Sequence, residues 1–241
     1  MLNNHRMLMW SVAAAALGGW NAAASAGWAT VVINGAETTI QAATLPGLLT
    51  TPGNVFTNAD VDAIHNELQA GGINTVGQIT MMLANTARGT SLILLADGPG
   101  QPSSDPPLCL LGVEAVWEGE DTSLANLDGG GNWAVNDLGD GTQVGAGALQ
   151  WRHELTYEAL ALTELNTNQN VMSTLYDLGM SGMNEQVFNL LTFTNGDWSV
   201  AATYAFTDNV ISSTTTIIEI PAPASLALIL LYGMQLRRRR Y

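Results

Sequence analysis

The sequence predicts a mainly β chain: a single antiparallel β-sandwich or jelly-roll-like domain with one or two short helices. An N-terminal signal peptide and a C-terminal apolar helix are expected to flank it. Three observations lead there. Asn-Gly and Asp-Gly pairs, which tolerate the positive φ of tight hairpin turns, recur at Asn34-Gly35, Asp97-Gly98, Asp128-Gly129, Asp140-Gly141 and Asn195-Gly196. β-branched residues flank several of these pairs. Short apolar runs are spaced at intervals typical of sandwiches.

Taken in order, Trp28–Ile33 and Glu37–Gln41 read as a hairpin across Asn34-Gly35. Thr57 or Asn58 can cap a helix whose Asp60 and Asp62 suit its N-terminal dipole. Val61, Ile64 and Leu68 give that helix an apolar stripe, and Gly71-Gly72 ends it. Gln78–Asn85 and Ser91–Asp97 read as a hairpin around Ala87-Arg88-Gly89. Thr75 with Gln78 also mimics a capping box, so 75–87 has a helical alternative; the alternation of Ile79, Met81 and Leu83 favours strand. Pro99, Pro102, Pro106 and Pro107 mark a loop. Leu108–Trp117, Gln143–Trp151, Glu154–Leu162 and Asn209–Ile220 are further strands. Met180–Leu191 is ambiguous between helix and strand. The final hairpin, Phe188–Thr194 with Asp197–Phe206, turns at Asn195-Gly196; Trp198, Val200 and Ala202 should share its inner face. The expectation is about nine or ten strands.

Charge narrows the partners. The 241 residues carry a formal −14, from 21 acids and 7 arginines, with no lysine. All the acids lie between Glu37 and Glu219. Residues 27–220 hold only Arg88 and Arg152 against 21 acids, a formal −19. Such a body offers no basic face for phosphates, which argues against nucleic acid as a partner. It argues equally against docking on anionic lipid. The single cysteine, Cys109, excludes an internal disulfide framework.

The two ends read as addresses. Residues 1–26 have a short basic n-region with Arg6, an apolar h-region Leu8–Leu17, and a small-residue run ending Ala24-Ser25-Ala26. Signal peptidase is expected to cut between Ala26 and Gly27. At the other end, Pro221-Ala222-Pro223 precedes an apolar run from Ala224 to Leu236, then Arg237, Arg238, Arg239 and Arg240. Ala224–Leu236 spans about 20 Å as a helix, short of a ~30 Å hydrocarbon core unless the arginines snorkel. The positive-inside rule places those arginines in the cytoplasm and residues 27–220 outside. The domain boundaries follow: 1–26 signal peptide, 27–220 exported β-rich domain, 221–241 sorting or anchor segment.

This C-terminal tripartite segment resembles the PEP-CTERM sorting signal of Gram-negative bacteria. The resemblance covers about 21 residues, with Ala222 standing where the family's motif carries glutamate. It implies an inner-membrane precursor, held transiently by the apolar helix and processed by an exosortase-like transpeptidase. It further implies a destination at the cell surface or in an extracellular matrix containing exopolysaccharide.

Residues for catalysis are sparse. There is no G-x-S-x-G elbow, H-E-x-x-H helix, P-loop or dinucleotide fingerprint. His65, near Asp62 and Glu67, reads as a solvated helical residue, and His153 beside Glu154 as strand-edge surface. Cys109 lies in an apolar run and reads as a small buried hydrophobe. Acids concentrate at Glu118–Asp121 and at Asp128–Asp140. Asp137 and Asp140 are weak calcium candidates there, although their spacing is not that of an EF-hand. A glycosidase pair of Glu154 and Glu158 would share a strand face about 13 Å apart, too far for that chemistry. Trp133, beside Gly129-Gly130-Gly131, is the best candidate for an exposed sugar-stacking tryptophan; Trp151 and Trp198 read as core. The resulting expectation is an exported, non-enzymatic surface or matrix protein without a cofactor. The alternatives are a carbohydrate-binding module of sandwich type or a secreted glycoside hydrolase.

Overall fold

The computed structural model describes residues 27–52, 55–98, 108–119, 121–127, 133–152, 157–179 and 187–219. All of them belong to one compact unit. The signal segment 1–26, the tail 221–241, the proline-rich 99–107, and 180–186 lie outside the described residues.

The chain opens on β1 (Trp28–Ile33) and β2 (Ala36–Gln41), paired antiparallel. Asn34 at φ 52° and Gly35 at φ 78° form the tight turn that the Asn-Gly pair predicts. β3 (Ala43–Thr44) and β4 (Val55–Phe56) are short. The one helix among the described residues is α1 (Asn58–Ala70), N-capped by Thr57. Then come β5 (Ile79–Thr86), β6 (Gly89–Asp97), β7 (Leu108–Glu118), β8 (Ser123–Leu127), β9 (Trp133–Asp137) and β10 (Thr142–Arg152). β11 (Tyr157–Thr163), β12 (Asn170–Gly179), β13 (Phe188–Thr194), β14 (Asp197–Tyr204) and β15 (Val210–Glu219) complete the order.

These strands form two sheets. The first runs β2-β1-β15-β12-β7-β10-β9 and the second β14-β13-β5-β6-β11-β8-β4, with β3 beside β5. One apolar cluster draws on both: Val31, Ile33, Trp117 and Ile217 from the first, Met81, Leu94, Leu162 and Leu190 from the second. A void of about 30 Å³, roughly one water's worth, lies within it between Met81, Leu94, Val113 and Leu175.

A second cluster covers the other face of the second sheet. Val61, Ile64 and Leu68 of α1 and Leu48 and Leu49 pack on Met82, Ile93, Leu95 and Ala161. β5 and β6 are therefore buried on both faces. That accounts for near-continuous apolar runs such as Leu92–Ala96, where a half-exposed strand would alternate.

The mainly β reading and the helix are borne out, as are both Asn-Gly hairpins and the hairpin at Ala87-Arg88. Four expectations are corrected. The pairing is not wholly antiparallel: β13 with β5, β3 with β5, and β4 with β8 run parallel. Each of these pairs joins segments far apart in sequence, where no tight turn imposes the antiparallel sense. Fifteen strands are described rather than about ten. β12, which lies between β15 and β7 in the first sheet, was missing from the expectation altogether. Of the strand expected over Glu154–Leu162, Tyr157–Leu162 is borne out, and residues 154–156 lie outside the described residues. Finally, Leu190 pairs with Ala202 but Leu191 with Val200, so Ala201 is an extra residue. This bulge turns β14 over between its ends. Trp198 is buried under α1 with Phe193, whereas Val200 is exposed and Ala202 packs against the shared core.

Candidate functional site

Two polar constellations stand out among the described residues. The first joins α1 to the second sheet. Asp97 ends β6 on the face turned to the helix and is 5% exposed. The Thr75 hydroxyl donates to Asp97 Oδ2 at 2.6 Å, and His65 Nε2 lies 3.3 Å from the same oxygen. Burial raises the Asp97 pKa; the Thr75 hydrogen bond and the His65 charge oppose that shift. The His65 ring lies 5.6 Å from that of Tyr157 on β11. His65 is thus a half-buried clamp between helix and sheet, not the solvated helical residue expected from Asp62 and Glu67. The Thr75 hydroxyl spends its proton on Asp97, which makes it a tether and not a nucleophile.

The second constellation is a depression of about 500 Å³ where three connections meet. The β5–β6 turn contributes Ala87, Arg88, Gly89 and Thr90; the β7–β8 connection gives Asp121; the β11–β12 connection gives Glu164, Leu165 and Asn166. Backbone bonds fix the first and third together. The amide of Glu164 donates to the Arg88 carbonyl at 3.2 Å, and that of Leu165 to the Thr90 carbonyl at 3.0 Å. Gln169, 8% exposed, is the keystone. Its Nε2 donates to the Glu118 carbonyl and, at 2.8 Å, to Thr122 Oγ1; its Oε1 accepts from the Asn166 amide at 2.7 Å. Glu164 adopts φ 62°, a left-handed conformation unusual for glutamate. Ser123 Oγ donates to its Oε2 at 3.4 Å.

Within this depression Arg88 is under-used. Its Nη2 lies 3.8 Å from Glu164 Oε1, an ion pair longer than a hydrogen bond. Its Nη1 is shielded from solvent and has no hydrogen-bond partner. Sequence reasoning met Arg88 only as a turn residue and as one of two cations in the body. That scarcity was the available signal. Glu164 and Asn166 gave none, because only folding brings residues 88, 121 and 164 together.

Other expected sites resolve differently. Asp137 Oδ1 accepts from the Gly139 amide at 2.7 Å and Asp140 Oδ1 from the Thr142 amide at 2.9 Å. Both carboxylates brace the exposed β9–β10 turn. The Thr142 amide holds the Asp140 pKa below the usual carboxylate range. No group of three or more His, Cys, Asp or Glu residues that could hold a metal is present among the described residues. Trp133 is half-buried against the shared core, with a shielded indole nitrogen, because β9 pairs with β10 and carries it in beside Gly147. It is not the exposed platform expected. Trp198 is buried as expected, 5% exposed. Trp151 and Cys109 are register partners across β10 and β7.

Glu158 lies on the face of β11 that carries Leu160 and Leu162 into the shared core. It is 8% exposed, its Oε2 has no partner, and burial pushes its pKa up to about 8. Glu154, His153 and the sorting residues Pro221, Ala222, Pro223, Arg237, Arg238, Arg239 and Arg240 lie outside the described residues. So do Ala24 and Ala26; Gly27 is the first residue described.

Comparison with protein-family models, with curated proteins and with solved structures finds no match to this chain. The site therefore stands on its own geometry.

Proposed function

We propose that the chain is an exported, non-enzymatic surface or matrix protein. Signal peptidase releases it after Ala26, and an exosortase-like transpeptidase acts at Pro221-Ala222-Pro223. The inner membrane holds the precursor transiently through Ala224–Leu236 and Arg237–Arg240. The exported body, a β-sandwich, then associates with exopolysaccharide.

One observation carries this reading. The charges are segregated about residues 27–220, the interval between the two processing signals. Every acid falls within that interval, and four of the seven arginines close the tail. The two sheets sharing one core support the sandwich. A hydrolase built on Glu154 and Glu158 has less support, because Glu158 faces the shared core and not a cleft.

N-terminal sequencing and intact mass of the protein recovered from the cell surface or medium test the proposal. A mature chain starting at Gly27 and lacking Tyr241 is expected. A chain that keeps both Met1 and Tyr241 overturns it.

A further inference from the structure

We propose that the depression around Arg88 is a binding site for a neutral, hydroxyl-rich sugar unit. The chemistry of its lining sets the ligand class. Arg88 supplies donors, Asp121 and Glu164 supply acceptors, and Asn166 supplies both. A sugar hydroxyl also donates and accepts, so neighbouring hydroxyls can satisfy a guanidinium and a carboxylate together. Arg88 has donors to spare: Nη1 has no partner, and Nη2 reaches Glu164 only at 3.8 Å. Nη1 is shielded from solvent in this position, so the guanidinium must turn outward before Nη1 can meet a ligand oxygen.

The same lining excludes the other classes. Two carboxylates, on a body of formal −19, repel a polyanion. Glu164 is already paired with Arg88, which leaves Asp121 as the remaining carboxylate of the lining for a metal ion. Ala87 is the one exposed apolar residue of the lining, since Leu165 is 2% exposed and belongs to the core. The scaffold is set before binding: the Glu164–Arg88 and Leu165–Thr90 backbone bonds and the Gln169 keystone fix the walls. Little ordering is then left for the ligand to impose. The depression, about 500 Å³ and open to solvent, has room for a single sugar unit. This inference rests on the export reading only for the source of the sugar.

The test uses the full chain, isotope-labelled, titrated with the methyl glycosides of glucose, galactose and mannose. Glucuronate and calcium serve as charged comparators. At least one neutral glycoside is expected to bind at millimolar level, moving the amides of residues 87–90, 121 and 164–166. D121N and N166A, both at exposed positions, should each weaken it by about tenfold or more. R88Q should abolish it. The inference is overturned if no neutral glycoside moves those amides, if glucuronate or calcium binds there more tightly, or if D121N and N166A leave binding unchanged. The readout is independent of processing, so a failed sorting signal and a failed sugar site give separate results.

Discussion

Trp117 on β7 crowds the space that a side chain at Gly145 on β10 would take. A Cβ built at Gly145 would lie 3.0 Å from both Cη2 and Cζ3 of the Trp117 ring. Gly145 stands opposite Ala115, so the two residues are diagonal neighbours on the inward face of the first sheet. Trp117 is 1% exposed and among the largest side chains of the shared core. The glycine is therefore a packing requirement, needed for the indole and not for a turn.

G145A should accordingly destabilise the protein by about 1–3 kcal/mol, as overpacking does in dense cores. Urea unfolding of the two proteins checks this through the transition midpoint. W117F in the G145A background should recover part of the loss, because the smaller ring vacates the contested space. An additive double mutant would show that the two positions do not compete.

Asp60 makes a separate, local prediction. Its Oδ2 accepts from the Thr57 amide and hydroxyl at 2.9 and 2.6 Å, and its Oδ1 from the Leu49 amide at 2.9 Å. One carboxylate thus closes the capping box and pins the 45–49 segment over α1. D60A should cost about 2 kcal/mol or more, above a simple cap loss, since it also orphans a buried amide. T57A, which leaves the Leu49 bond intact, should cost less. Thermal melts of both variants decide the ranking.

These residues illustrate what the sequence reveals. Thr57, Asp60 and the stripe Val61, Ile64 and Leu68 announce α1, because capping and helical periodicity are local. The Asn34-Gly35 and Asn195-Gly196 turns are equally local. β12 escaped because Met172, Ser173 and Thr174 break any apolar alternation, although Val171 and Leu175 are buried. The Asp60–Leu49 bond, the His65–Asp97 clamp and the depression around Arg88 depend on chain segments meeting in space. No pattern along the sequence encodes them.

Glu158 predicts a pH dependence. Its folded pKa, near 8, stands above the ordinary 4.5 because burial penalises the carboxylate. A raised folded pKa means that the native state holds its proton more tightly than the unfolded chain does. The stabilisation is complete below about pH 4.5 and is lost as pH rises toward 8, at up to about 1.4 kcal/mol per pH unit. E158Q should flatten that slope and leave the variant more stable than the parent at pH 8. Denaturant unfolding between pH 5 and 8 measures both, and parallel curves for the two proteins would contradict the assignment.

Calcium at the β9–β10 turn is open to a direct test. Asp137 and Asp140 already accept backbone amides of their own turn, and both are exposed. A cation would have to share those oxygens. Millimolar calcium should therefore leave the melting temperature unchanged, whereas preferential binding to the native state would raise it. A rise that disappears in D137N with D140N would establish a weak calcium site.

The tail carries the last prediction. Arg237–Arg240 should act as a stop, since four charges are costly to draw through hydrocarbon. Pro221 and Pro223 donate no backbone hydrogen bond, and each biases its predecessor toward an extended conformation. The segment Ile220-Pro221-Ala222-Pro223 is thereby expected to stay out of the apolar helix, within reach of a transpeptidase at the outer membrane face. Replacing all four arginines with serine should impair retention and processing together. P221A with P223A should spare retention but block maturation, so that an uncut, membrane-held precursor accumulates. Fractionation with intact-mass analysis separates these outcomes. If the proline variant is trimmed and released like the parent, the two prolines are not the processing motif. If the parent itself keeps Tyr241 at the membrane, Ala224–Leu236 serves as a plain anchor.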